Sequence, residues 1–248
     1  MKKIGIGVAG DADRVLNSIR KSRLSAEINC YSRPGAIGRE VGDIPVIEHA
    51  CPEDQLIKDL ITGRINAAVR GTFTANNTLQ RLRQAAEVDH LERIALLETA
   101  GGRKFLLGPV GVDEGWTVSE KLSLINGGKT IAVRLGLPDR VGVLSGGRYG
   151  DIGRYPAVDT SLAVGELVAR LADATHYEIL IERAIQDCGI IIAPDGISGN
   201  LIFRTLIFLG SGRTHGAPVV NIGRIFVDTS RASPDYTNAL MLADLLAK

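Results

Sequence analysis

The sequence predicts an α/β protein built on mostly parallel sheets with helices on both faces. Three observations carry that expectation. Short apolar runs alternate with helical patterns along the chain, as in βαβ units. Several runs end in polar, glycine- or hydroxyl-containing loops, most clearly the runs at 190–193 and 222–227. A double glycine, Gly101-Gly102, breaks the chain and marks the expected crossing between two lobes.

Taken in order, Lys3–Val8 reads as a first strand, followed by a turn and a helix from Ala12 to about Lys21 with Val15, Leu16 and Ile19 on one face. Asp11 stands where an N-cap would. Gly5, Gly7 and Gly10 have GxGxxG spacing, but two of them fall inside the strand and no acidic residue closes a second strand at the expected distance, so a dinucleotide site is not assigned. Strands are expected at 27–31, 65–69, 93–97, 104–107, 140–144, 178–182, 190–193 and 222–227. Helices are expected over Pro52–Ile61, 76–87, 113–136 and 161–172. The helix at 113–136 contains Gly127-Gly128, at a cost of about 1 kcal/mol per glycine relative to alanine, and is expected to kink or split there. Residues 150–160 read as irregular.

Composition narrows the partners. The 4% aromatic content argues against a base-stacking surface, and the net charge of +1 points to neither nucleic acid nor an anionic membrane as partner. No apolar run approaches the ~20 residues needed to span a bilayer. Cys30, Cys51 and Cys188 are scattered, without CxxC, and the N-terminal apolar run is too short for a signal segment, so a reduced, cytoplasmic protein is expected. No DxxxD ladder or Cys/His cluster appears, and no metal site is assigned.

The loops after the strands carry the chemistry. In open parallel sheets ligands gather at the carboxyl ends of strands, where N–H groups and helix dipoles face an anion. Arg70, Gly71 and Thr74 follow one strand. Ser145, Gly146 and Arg148 follow another, and Ser198, Gly199 and Asn200 follow a third. The loop Asp228-Thr-Ser-Arg-Ala-Ser-Pro-Asp235 places a cation, three hydroxyls and two carboxylates in eight residues and reads as the reactive centre. Together these predict a small anionic, phosphorylated substrate. The residues alone leave Asp235 as either a base or a helix cap, and Asn200 as either a ligand contact or a cap.

Pro194-Asp195-Gly-Ile-Ser198-Gly199-Asn200, and the strand from Gly223 to Asp228-Thr-Ser230-Arg231 and on to Asp235, resemble the closing motifs of the phosphate acetyl/butyryltransferase (phosphotransacetylase) family. Fainter likenesses fall in the same order along the chain: Asp13-Arg14-Val15-Leu16, Gly71 with Thr74 and Thr78-Leu79, Leu144-Ser145-Gly146, and Gln186-Asp187. The chain is short for that family, and this compact form resembles the methanogenesis marker protein 4 (MtxX) group of methanogenic archaea. Two departures stand out: Gly146-Gly147-Arg148-Tyr149 replaces the family's hydroxyls and small residues, and the Ser-Arg to Asp spacing is one residue shorter.

The resemblance implies a two-lobed fold like that of isocitrate and isopropylmalate dehydrogenases, with an interlobe cleft and lobes at 1–100 plus 217–248 and at 101–216. It implies a homodimer, with coenzyme A as a co-substrate rather than a tightly bound cofactor. Arg231 would bind phosphate, Ser230 would donate to the oxyanion or orient the thiol, and Asp235 would be the base. Two other functions stay open: a methyltransferase-related protein of methanogenesis, catalytic or accessory, and a non-catalytic binder of a phosphorylated metabolite.

Overall fold

The computed structural model describes residues 1–38, 42–231 and 233–247. Ala232, inside the expected reactive loop, lies outside the described residues. The elements in chain order are β1 (Lys3–Val8), α1 (Ala12–Lys21), β2 (Glu27–Ser32), β3 (Val46–Glu48), α2 (Pro52–Ile61), β4 (Ala67–Val69), α3 (Ala75–Ala85), β5 (Ala95–Glu98), β6 (Lys104–Gly108), α4 (Val118–Leu135) and β7 (Val141–Val143). They continue with α5 (Pro156–Ala172), β8 (Thr175–His176), α6 (Ile181–Asp187), β9 (Ile190–Ile192), α7 (Gly196–Phe208), β10 (Arg213–Thr214), β11 (Ala217–Pro218), β12 (Ile225–Asp228) and α8 (Thr237–Leu246). They form two compact units, Met1–Leu91 with His215–Lys248, and Glu92–Thr214. The first crossing therefore falls at Leu91, not at Gly101-Gly102. The double glycine turns a hairpin: β5 pairs antiparallel with β6, Ala95 opposite Leu107, so the two strands belong to one sheet.

The first unit is a six-stranded sheet in the order β11-β12-β4-β1-β2-β3. All its pairings are parallel except that of β11 with β12. Helix α2 packs on β1, β2 and β4 through Leu56, Ile57 and Leu60, and α3 packs beside it through Leu82. The glycines of β1 are explained by this packing. A Cβ on Gly5 would lie 2.4 Å from Leu56 Cδ1, and one on Gly7 2.3 Å from Phe73 Cδ2. They admit core side chains, not a nucleotide.

Helix α8 closes on β4, β12 and β1 and meets α1. Asp244 of α8 accepts from Ser25 N–H at 3.1 Å and pairs with Lys2 Nζ at 2.9 Å. Burial raises this carboxyl, but the Lys2 and Ser25 contacts outweigh it and hold it below the usual carboxylate range. A depressed carboxylate contributes stability above its unfolded pKa of about 3.9 and loses it as pH falls through the folded value. Asp244→Asn is expected to cost about 1 kcal/mol at neutral pH, a cost that disappears as pH falls through the depressed folded value. Urea midpoints across that range check it; an equal loss at both ends would refute the assignment.

The second unit is a sheet ordered β10-β5-β6-β9-β7-β8. Its β6, β9, β7 and β8 run parallel, while β10–β5–β6 is an antiparallel edge. Helix α4 runs unbroken through Gly127-Gly128 instead of splitting. A Cβ on Gly128 would lie 3.2 Å from Ile190 Cγ2 and 3.3 Å from Ile94 Cδ1, so the missing side chain brings the helix down onto the sheet. Its ends are marked by Thr117, whose hydroxyl accepts from Glu120 N–H, and by the left-handed Gly136.

Two further expectations are corrected. Residues 178–182 do not form a strand: Glu178 has φ 56°, and the chain enters α6 at Ile181. The strand of that region is β8, beside β7. Residues 156–160 are not irregular but the first turns of α5, begun by Pro156.

Candidate anion site

In the first unit β1, β4 and β12 are parallel neighbours, so their carboxyl ends share one edge. Backbone and hydroxyl bonds tie the tips together. Thr72 N–H donates to Gly7 O at 3.0 Å, Ala9 N–H to Thr72 Oγ1 at 2.8 Å, and Thr229 Oγ1 to Gly71 O at 3.2 Å. Gly71 is needed here: its φ is 61°, and a Cβ would lie 2.1 Å from Gly7 O. Arg70 is placed at this edge as expected, but its Nε pairs with buried Asp228 and its Nη1 donates to Phe73 O at 2.5 Å. The expected anion contact is thus a brace between β4 and β12. Thr74 occupies the N-cap position of α3 without a side-chain cap bond.

Past β12 the chain makes a turn, Ser233 N–H donating to Ser230 O at 3.1 Å. Arg14 of α1 holds it. One of its nitrogens, Nη1, donates to Arg231 O at 3.1 Å and to Ser233 O at 2.9 Å. Its Nε is 3.0 Å from Asp11 Oδ2, and its guanidinium carbon is 5.4 Å from the centre of the Tyr236 ring. Asp11 therefore partners Arg14 and makes no side-chain cap to α1. Arg231 is exposed on this turn. Asp235 Oδ1 accepts from Thr237 N–H at 3.1 Å, so its carboxylate does serve the start of α8. Tyr236 is buried, its N–H donating to Ser18 Oγ at 2.9 Å. Burial pushes its phenol up, against the pull of Arg14 and Arg70.

The second unit brings the other expected residues to the ends of β7 and β9. Buried Ser145 lies 3.0 Å from His176 Nε2 through its Oγ, which also donates to Gly147 O at 3.2 Å. The other ring nitrogen, Nδ1, lies 3.0 Å from Tyr149 Oη and 3.2 Å from Glu166 Oε2, and Tyr149 O–H donates to Glu166 at 2.7 Å. The Tyr149 and His176 contacts hold Glu166 below the usual carboxylate range. Gly165 of α5 makes room for this imidazole: a Cβ there would lie 2.8 Å from Nε2. Gly146 N–H donates to Ser161 Oγ at 2.8 Å, and Arg148 N–H to Asp151 Oδ2 at 2.9 Å. The grouping of His176, Tyr149 and Glu166 was not legible because the three are scattered in sequence.

At the end of β9, Asp195 Oδ1 accepts from Ser198 N–H at 2.8 Å and caps α7. Asn200 Nδ2 donates to Val110 O at 2.9 Å, and Gly199 admits Pro109 O, which an added Cβ would meet at 1.9 Å. Of the two roles left open for Asn200, the described contact fastens α7 to the segment after β6. Asp195→Ala is expected to cost about 1 kcal/mol; a change under ~0.3 kcal/mol in the denaturation midpoint would show that the cap is idle. Nearby, Lys121 is buried and donates to Gly115 O at 2.5 Å, and burial pushes its pKa down.

Among solved structures, a branched-chain phosphotransacylase from Enterococcus faecalis superposes with a TM-score of 0.77 at 18% identity, covering 99% of this chain and 100% of that one. A 4-hydroxythreonine-4-phosphate dehydrogenase from Klebsiella pneumoniae gives 0.64 at 11% identity, each chain covered in full. An isocitrate dehydrogenase from Methylococcus capsulatus gives 0.53 at 12%, covering 100% and 84%. The fold is therefore the α/β fold shared by phosphotransacetylases and these dehydrogenases, as expected. In sequence, the chain is 43% identical to the "Putative methyltransferase mtx subunit X" of Methanosarcina acetivorans, over 99% of this chain and 90% of that protein. It is 36% identical to an "Uncharacterized methyltransferase" of Methanopyrus kandleri, over 99% of each. The chain belongs to the mtx subunit X (MtxX) family. No model of a known protein family matches it. Among the described residues no helix is long and apolar enough to cross a membrane.

Proposed function

We propose that this protein binds a small phosphorylated substrate at the strand tips of its first unit and moves an acyl group between phosphate and a thiol such as coenzyme A. One observation carries the reading. The Ser230-Arg231 turn, the segment that resembles the phosphotransacetylase motif, stands at the carboxyl end of a parallel strand with its arginine exposed and its backbone clamped by Arg14. A guanidinium presented from a braced turn suits an anion with several oxygens. In the forward step Asp235 takes the thiol proton and the sulfur attacks the acyl carbonyl carbon. The carbon–oxygen bond to phosphate then breaks, and phosphate leaves with the electron pair. Arg231 balances the charge on phosphate and carbonyl oxygen, and Ser230 donates to the developing oxyanion.

The relatives' names favour a second reading, a methyltransferase-related protein, catalytic or accessory. Against catalysis with a standard methyl donor, the glycines of β1 are filled by core side chains. A third reading keeps the anion site without catalysis. A homodimer in the cytoplasm completes the first reading; a monomer by sedimentation at micromolar concentration would remove the dimer.

The test is an assay of acyl phosphates with coenzyme A, following thioester formation, with Arg231→Ala as control. Turnover lost in the variant supports acyl transfer. No turnover with any short-chain acyl phosphate, while phosphate still binds, would leave the binding module.

A further inference from the structure

Helix α7 is mostly apolar, yet it buries none of its large side chains. Of its 13 residues only Arg204 is charged, and only Gly196 and Gly199 are buried. A helix so apolar is ordinarily buried. Helix α8, also rich in leucine, behaves that way and buries Leu240, Leu242 and Leu246. The two glycines of α7 explain how it is held. A Cβ on Gly196 would lie 1.6 Å from Gly111 O, and one on Gly199 1.9 Å from Pro109 O. The first turns are pressed against the segment after β6, and the large side chains are left partly or largely in solvent.

Ile197, Leu201 and Phe208 follow one another at helical spacing and form one stripe. Arg204 stands in the same stripe, its guanidinium carbon 5.1 Å from the centre of the Phe208 ring. Leu209 is exposed at the C-terminal end. At the other end Gly196 N–H donates to Glu114 O at 3.0 Å, which sets exposed Val112 and Trp116 beside the start of the helix. These six apolar side chains are between 42% and 82% exposed. Together they present on the order of 500 Å² of apolar surface, near the upper end of the largest patch on a typical monomer. With the partly buried apolar residues between them, the face approaches the ~800 Å² per partner of a standard stable interface.

We propose that the outer stripe of α7 is the surface on which a second copy of this chain docks, the two α7 helices meeting across a twofold axis. A twofold contact sets the same patch against itself, so the patch must complement itself. A stripe of aliphatic and aromatic side chains does so, and its one cation is folded over an aromatic ring. Homodimer faces are the more apolar class of interface, whereas a face for a charged partner would carry matching charges. The residues of this sequence outside the described ones, 39–41, 232 and 248, are too few to cover that area. The inference rests on the homodimer of the reading above and is independent of acyl transfer.

The experiment is sedimentation equilibrium of the full chain over the micromolar range, for wild type, Leu201→Glu, Ile197→Lys and Val133→Glu. Val133 is the control: it is 71% exposed and lies on α4 of the same unit, away from the stripe. The wild type should sediment as a dimer. Leu201→Glu and Ile197→Lys should each raise the dissociation constant about a thousandfold, because a twofold interface carries every change twice. Both positions are exposed in the single chain, so both variants should keep the far-ultraviolet circular dichroism of the wild type. Val133→Glu should leave the dimer intact. If the stripe variants stay dimeric, or if Val133→Glu weakens the dimer as much as they do, the contact lies elsewhere and only this inference falls. If the wild type is a monomer throughout, the homodimer falls with it.

Discussion

An Asp228→Ala chain is expected to lose about 3–5 kcal/mol of stability, read as a shift of the denaturation midpoint of the first unit. Asp228 is the carboxylate partner of the Arg70 Nε, and both side chains are almost wholly buried, at 11% and 5% exposure. Removing the acid leaves a guanidinium in the interior without its counter-charge. The carboxylate also accepts from Thr229 N–H at 2.8 Å, so a second donor loses its partner. Taking out both charges together is a different experiment. Replacement of a buried pair by apolar groups of similar volume is often neutral. Arg70→Met with Asp228→Leu should therefore recover most of the loss. If the single variant costs under ~1 kcal/mol, the pair is not the brace between β4 and β12.

Arg231→Ala is expected to act the other way: almost no change in stability and a large change in activity. The side chain is exposed, and surface substitutions of that kind stay within about 0.5 kcal/mol. The backbone of the turn is held through Arg231 O and Ser233 O, bonds that alanine retains. Loss of a charge-stabilising donor in an acyl transfer costs about 10²–10³ in kcat. Arg231→Lys keeps the charge but not the planar fork, and should recover only part of the rate. A variant with wild-type kcat/KM on acyl phosphate would end the role assigned to this arginine; a variant that is inactive because it melts early would instead show that the turn depends on the side chain.

Local pattern carried much of the architecture. Lys3–Val8 and Pro52–Ile61 were legible to the residue, because an apolar strand followed by an Ala-Gly-Asp turn and a proline-started amphipathic helix are local statements. The three-residue β3 and the two-residue β8, β10 and β11 were not legible: unlike the equally short β4 and β9, none of them is an apolar run of three residues, and each exists as the partner of a neighbour. Gly127-Gly128 misled for the same reason: local propensity counts a cost, while the gain comes from Ile94 and Ile190, distant in sequence.

The candidate site divides along the same line. The residue types in the Asp228–Asp235 loop, and the anion chemistry they imply, are properties of the sequence itself, since charge and hydroxyl content need no fold to be read. What each side chain is committed to was decided by tertiary structure. Arg70, read as an anion contact, is consumed by Asp228, and Ser145, read likewise, is joined to His176. Arg14, noticed only as part of a faint resemblance, clamps the turn more than 200 residues away along the chain, as Nη1 meets Ser233 O across a separation of 219. A hydrogen bond saturates: each donor is spent where geometry brings an acceptor. Which acceptor arrives depends on strand order and helix approach, and no segment read alone contains that information.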